Sequence, residues 1–434
     1  MCDLKIAENS PKGTGKYLRL QGFLILIGGT TFASAINFLA VPLLARFYDP
    51  SAFGALGAIV GVATIAAVAV HGRYHLAIPV TKDDRESRLL VLASVMLTLL
   101  LTGPAVLIVT YFSTANQSQL SILAFALAAA GLTLSGAIVE ISTYWWTKNG
   151  QIKKTAANAV LRAVVTLFVQ LCAFPFGAVG LLMGTLLGSM AATLPPGYDL
   201  LQVCRSVWQT TTRRDIWHVL VRNRSFPLLS MPQGVMAAVG WNLFPALLLD
   251  FSGAHVAGLY WLPFRVILTA NTIIGSAYRQ TTLPMLHRLE GETHAGMIRA
   301  LGLHTLIFLT LSFIGCGILF VFGHSVIPLA FGIKWLDAVP FANWLALTFV
   351  AEFAKLPASC IIQYRRQFGQ AIAWEASIAL ARYGLALPFL WSGNANAAIA
   401  AFSLVGLVGG LAFTARVFQQ NWQGPVVSAP VYLQ

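Results

Sequence analysis

Apolar runs of about 20 residues recur from one end of this chain to the other, and that is the length a helix needs to cross the hydrocarbon core of a bilayer. A chain of 434 residues with 57% hydrophobic and only 10% charged residues has too little polar surface for water to be its main solvent, since soluble domains carry roughly 25% charge. The runs fall near 21–45, 53–79, 89–113, 119–145, 156–175, 178–201, 226–250, 256–283, 299–322, 339–361, 371–391 and 394–417. They are long and continuous rather than alternating strands of about ten residues, which excludes a membrane barrel. The expected class is an all-α integral membrane protein of twelve spans.

Lys and Arg sort these spans into an orientation, because cytoplasmic loops hold the excess of positive charge. One set of gaps contains Lys5, Lys12, Lys16 and Arg19, then Arg73, Lys82, Arg85 and Arg88, then Lys148, Lys153 and Lys154, and then Arg205, Arg213, Arg214, Arg222 and Arg224. Arg279, Arg288, Arg299, Arg365, Arg366 and Arg416 extend the same set. The other set holds little beyond Arg46 and Lys334. Both termini are therefore expected in the cytoplasm, with residues 1–20 and 418–434 as tails.

The net charge of +13 lies scattered in these gaps rather than along a basic stripe, so no nucleic-acid partner is expected. Cys2, Cys172, Cys204, Cys316 and Cys360 form no CxxC or Cys/His cluster, and neither a metal nor a cofactor is expected. His71 and His75, one turn apart near the inner end of the second span, read as interfacial residues, as do Tyr144, Trp145 and Trp146 closing the fourth. The chain shows no phosphate-cradling Gly-rich loop, nucleophile elbow or paired-acid motif. Its outer gaps, such as STANQSQ at 113–119 and FPFGA at 174–178, are too short to hold a catalytic domain, and an enzyme is not expected.

The longest polar gap, 202–225, is basic and divides the chain into six-span halves, 21–201 and 226–417. At an ungapped shift of 204 residues, Leu43-Leu44 falls on Leu247-Leu248, Phe47 on Phe251, Gly54 on Gly258 and Tyr74 on Tyr278. Two parallel repeats related by an axis along the membrane normal are a transporter architecture in which one half rocks against the other.

Five segments carry a family likeness in their order: PLLARFYDPSAFGALG at 42–57, GRYHLAIPVTKDDRESRLL at 72–90, RNRSFPLLSMP at 222–232, AGLYWLPFRVILTANTIIGSAYRQTTLP at 257–284 and IPLAFGIKWLDAV at 327–339. Together they resemble the Wzx-type polysaccharide flippases of the MOP superfamily, the group that also contains MATE exporters. The resemblance implies two six-helix lobes around a central cationic cavity that alternates between the two sides of a bacterial inner membrane. It implies as substrate an undecaprenyl-pyrophosphate-linked oligosaccharide for surface polysaccharide such as the O-antigen of lipopolysaccharide. A polysaccharide polymerase and a chain-length regulator are the implied protein partners, beside the membrane lipids. A MATE-like ion-coupled exporter would share the fold but line its cavity with anions, and a membrane enzyme of polysaccharide assembly is disfavoured by the short outer gaps.

Charges inside the spans are costly, about 2.5–3.5 kcal/mol each at a helix centre on insertion scales, so they face a cavity or a partner. Arg265 and Arg382 lie deepest and are the leading candidates for a pyrophosphate, which suits the forked donors of arginine; the alternative is a structural ion pair. Arg46 and Arg73 are further candidates, with a surface pair to Asp49 and a positive-inside anchor as their plain readings. Arg162 reads as able to snorkel from a helix end. Glu140, Glu352, Glu375 and Asp250 are the candidates for ion coupling, while the spacings Glu352–Lys355 and Glu375–Arg382 also fit simple pairing along a helix face.

Overall fold

In the computed structural model the residues described are 14–112, 122–288, 294–365 and 367–422, and these form fourteen α-helices joined by short turns. The outer parts of both expected tails, the STANQSQ gap and Arg366 lie outside the described residues.

The first five helices, α1 (Thr14–Phe47), α2 (Pro50–Val70), α3 (Asp84–Phe112), α4 (Ile122–Lys148) and α5 (Ile152–Cys172), correspond one to one with the first five expected spans. The sixth span is broken in two, α6 (Gly177–Ala191) and α7 (Leu194–Trp208), where Pro195 and Pro196 start a fresh helix. Proline suits a first turn, where its missing N–H has no helical partner to lose. A surface helix, α8 (Arg213–Arg222), occupies the basic linker. The second half follows with α9 (Met231–Asn242), α10 (Phe244–Arg288), α11 (His294–Phe331), α12 (Val339–Arg365), α13 (Phe368–Trp391) and α14 (Ala395–Trp422).

Helix α10 contains a break at Gly253, whose φ of 84° only glycine adopts freely, and this break separates the seventh expected span from the eighth. Nine of the described helical stretches are long and apolar enough to cross a membrane, one of them, Phe226–Leu283, enclosing both of those spans. Helix α13 carries Glu375 and Arg382 among its apolar residues and falls outside the nine. The result is a multi-pass, all-helical membrane fold.

Helices α1–α7 pack on one another, α9–α14 do the same, and the halves meet chiefly along α2 and α10. In its most apolar stretch α2 is 72% buried, whereas the equally apolar α11 is only 11% buried. One helix is thus the centre of the protein and the other its lipid-facing rim. Apolar residues such as Leu107, Phe168, Leu311 and Val321 lie exposed around the bundle, as expected where hydrocarbon is the solvent.

Small residues make the central junction possible. A methyl group added at Gly54 would strike the carbonyl oxygen of Ala254, and one added at Gly258 would strike the carbonyl oxygen of Pro50. Gly57 lies against the ring of Trp261 and Gly61 against the carbonyl of Asn242 in the same way. Without Cβ atoms in the way, the two backbones approach closely enough for dispersion to hold them where no hydrophobic force acts.

Candidate functional site

The two ends of the junction are closed by different chemistry. At the end away from the linker, Arg46 Nη2 donates to the Leu329 carbonyl at 3.0 Å, Lys334 Nζ pairs with Asp49 Oδ1 at 3.1 Å, and Trp335 Nε1 donates to the Ala45 carbonyl at 2.8 Å. Arg46 and Asp49 therefore do not pair with each other: Arg46 reaches across to the last turn of α11, and Asp49 to the turn between α11 and α12. Asp250 lies partly buried at this end, near the Gly253 break.

At the linker end the connection is made by Arg73. It follows Gly72 in the turn after α2 and has the left-handed φ of 59°. Its guanidinium lies across Gly234 of α9, with Nη2 2.6 Å from where a Cβ would stand, so that contact requires glycine. Arg73 is more than a surface anchor. It joins the halves, and its Nη1 is also 3.7 Å from Glu140 Oε1 on α4.

Between these ends lies a cavity of about 200 Å³ within the first half, lined by Thr64 and Ala67 of α2, Gly136 and Glu140 of α4, Arg162 of α5 and Thr185 of α6. Helix α5 starts at Ile152, four residues before the expected span, which moves Arg162 to its middle. Arg265 of α10 crosses the junction to reach a narrow recess walled by Asn37, Thr166 and Gln170 of the first half. Thr166, one helical turn from Arg162 on α5, is a wall of the recess that Arg265 lines, so the two guanidinium groups belong to neighbouring pockets. Among the described residues neither has a carboxylate within ion-pair distance. Two guanidinium groups, one from each half, thus line neighbouring pockets with no carboxylate within ion-pair distance among the described residues.

Arg382 sits in a different environment. It is 3% exposed, stacked over the Trp241 ring at 4.2 Å and the Phe402 ring at 5.0 Å, with Nη2 4.0 Å from Glu352 Oε1. Lys355 Nζ is 3.0 Å from Glu352 and 2.7 Å from Glu375. Two acids and two bases so form one network across α12 and α13. The expected Glu352–Lys355 pair is present, while Glu375 turns to Lys355 rather than to Arg382.

The residues that sequence reasoning undervalued are Arg162, His71 and His75. Both histidines are fully buried, and each places Nε2 3.2 Å from an oxygen of Glu140. Tyr144 packs its ring at a tilt against His75, with ring centroids 4.8 Å apart. Trp146 is fully buried, its Nε1 donating to Asp199 Oδ2 at 2.8 Å, and so is no part of an interfacial belt. The available signal was the HxxxH spacing of residues 71–75, one helical turn at the end of a span.

No protein-family model matches the chain, and no curated protein matches it in sequence. Solved structures do match it. The chain is similar to the lipid II flippase MurJ in an inward closed conformation, at 11% identity and a TM-score of 0.70 over 92% of this chain and 90% of that one. It is similar to a multidrug resistance MATE family transporter of the MOP superfamily in an inward-facing conformation, at 15% identity and a TM-score of 0.66 over 92% and 96%. A MOP superfamily transporter from Pyrococcus furiosus gives 14% identity and a TM-score of 0.57 over 96% and 100%. At such identities the likeness is one of fold: the chain shares the helical architecture of these solved transporters.

Proposed function

We propose that this protein is a flippase that carries an undecaprenyl-pyrophosphate-linked oligosaccharide across the bacterial inner membrane by alternating access. The observation that carries this reading is the placement of Arg162 and Arg265, from opposite halves, in neighbouring pockets without carboxylate partners among the described residues. Guanidinium groups in pockets without carboxylate partners suit an anion, and a pyrophosphate supplies at least two negative charges and many acceptor oxygens. An organic cation would be repelled by both groups, which disfavours a drug exporter.

Binding between the halves lets the substrate act on the junction itself. A headgroup held by Arg162 from one side and Arg265 from the other stabilises the arrangement in which both reach it, so loading changes the balance between open and closed ends. Arg73 is the contact to be broken at the linker end, and Arg46 with Lys334 the contacts to be broken at the other. The linker end is cytoplasmic in this proposal, where the lipid-linked sugar is assembled, and the polymerase and chain-length regulator act after release outside. The ion that drives the cycle acts through membrane carboxylates, of which Glu352 and Glu375 are the leading pair.

The test is headgroup binding by the purified protein in nanodiscs. A lipid-linked oligosaccharide with a pyrophosphate is expected to bind, to be displaced by the polyprenyl pyrophosphate alone, and to lose most of its affinity in Arg265→Ala and Arg162→Ala. Equal affinity for an uncharged polyprenol-linked sugar, or unchanged binding in both variants, would overturn the proposal.

A further inference from the structure

The triad of His71, His75 and Glu140 has a geometry that hydrogen bonding alone does not explain. His71 caps the end of α2, His75 lies in the 3-10 turn Tyr74–Ala77, and Glu140 comes in from α4. One donor atom from each of the three lies within 4.8 Å of the others. His75 Nε2, 3.2 Å from Glu140 Oε1, makes no hydrogen bond to it, and neither nitrogen of this fully buried ring has a hydrogen-bond partner among the described residues. An unsatisfied buried polar atom costs about 1–3 kcal/mol. A nitrogen close to an oxygen but not aimed at it is what two ligands directed at a shared third point produce.

We propose that His71 Nε2, His75 Nε2 and a carboxylate oxygen of Glu140 bind a divalent transition metal ion of the Zn²⁺ class. Ligand atoms about 2.0–2.1 Å from a tetrahedral Zn²⁺ stand about 3.3 Å apart; His71 Nε2 lies 3.2 Å from Glu140 Oε2, His75 Nε2 lies 3.2 Å from Oε1, and one ligand atom from each residue fits within 4.8 Å, so a small closing movement brings the three onto one ion. Two imidazoles and a carboxylate suit such ions rather than Ca²⁺ or Mg²⁺, which take oxygen ligands. Glu140 also borders the cavity that holds Arg162, and this provides an entry path and space for a water as fourth ligand.

Two features set the character of the site. The Arg73 backbone N–H points at His71 Nδ1 at 3.3 Å, whereas a metal-bound His71 would carry its proton there; loading must therefore break this contact and shift the turn. The Arg73 guanidinium adds positive charge beside a single carboxylate. Both oppose the ion, so the site is an exchangeable one. Because the same turn lays Arg73 across Gly234, loading would alter the contact between the halves at the linker end.

The probe is Co²⁺, titrated into the full-length protein purified through an affinity tag without histidines. Wild type is expected to take up one Co²⁺ per chain with the visible absorption of a low-coordinate ion, and to release it to Zn²⁺. His71→Asn and Glu140→Gln should weaken binding by about tenfold or more, while His255→Asn should not change it. His75→Cys guards against a variant lost through misfolding, since it should keep the ion and add a near-ultraviolet sulfur-to-cobalt charge-transfer band. Absence of stoichiometric Co²⁺ in wild type, or uptake unchanged in His71→Asn with no sulfur band in His75→Cys, would overturn the site.

Discussion

Gly54 of α2 and Gly258 of α10 occupy equivalent positions of the internal repeat and lie backbone to backbone in the junction between the halves. The correspondence extends to their neighbours: Gly54 faces Ala254 and Gly258 faces Pro50, and these residues also stand 204 positions apart. A surface that meets its own repeat is the intramolecular form of an isologous interface. The junction should respond alike to change on either side. Gly54→Val and Gly258→Val each force a side chain into backbone, with overpacking costs of about 1–3 kcal/mol. Both are expected to lower the melting temperature in detergent, and the double variant to fall short of the sum because either one alone opens the same contact. Full additivity would mean that the two glycines do not share a packing site.

The helices were legible in the sequence because the bilayer imposes a length on every span, and the order of the helices follows from that length alone. Their breaks were less so: Gly253 interrupts α10 with a single residue, and the α6–α7 break lies within an otherwise apolar run. The charged side chains were legible by depth but not by partner. Arg265 and Arg382 looked equivalent, yet Trp241 and Phe402, from different helices, take up one of them. The position of Arg162 within its helix was not legible, because four residues at the start of α5 decide whether it lies near an end or at the middle. His71 and His75 were passed over because Glu140, their common neighbour, is 65 residues beyond His75 in sequence.

Removing one of the two guanidinium groups should harm function without harming the fold. Arg265→Ala is expected to abolish transport with normal membrane abundance and a melting temperature that does not fall, since among the described residues no carboxylate loses a partner. Arg265→Lys should recover only part of the activity, because an ammonium lacks the planar fork. A large fall in stability in Arg265→Ala would instead assign it a structural role.

The linker helix α8 offers a measurement independent of transport. Thr212 and Asp215 form a capping box, each side chain accepting from the backbone N–H of the other residue, at 3.3 and 2.9 Å. Thr212→Ala should destabilise the helix by about 1 kcal/mol. The hydrogen bonds from Thr212 hold the Asp215 carboxyl below the usual carboxylate range. Its folded pKa is thus below its unfolded one, so its contribution is complete above the unfolded value near 4 and lost as pH falls through the folded one. Hydrogen exchange of residues 213–222, corrected for intrinsic rates, should show protection falling on acidification in wild type and little further pH dependence in Asp215→Asn.

The last prediction separates structure from coupling in the network of Glu352, Lys355, Glu375 and Arg382. The Lys355 and Glu352 side chains are 12% and 14% exposed, so Lys355→Met leaves a buried carboxylate without its nearest cation, a change that costs about 3–5 kcal/mol in comparable pairs. Glu375 is 40% exposed and better screened, and Glu375→Gln should cost far less because Lys355 keeps Glu352. This difference makes Glu375 the acid that can gain and lose an ion while the bundle stays intact. Moving one charge through 100 mV is worth about 2.3 kcal/mol, enough to bias a two-state carrier about fiftyfold. In vesicles containing lipid-linked oligosaccharide, wild type is therefore expected to accumulate substrate on one side under an imposed proton, Na⁺ or voltage gradient. Glu375→Gln should equilibrate it without accumulation. Net accumulation by wild type after ionophores have collapsed all three gradients would rule out ion coupling, and accumulation by Glu375→Gln equal to wild type would remove this residue from it.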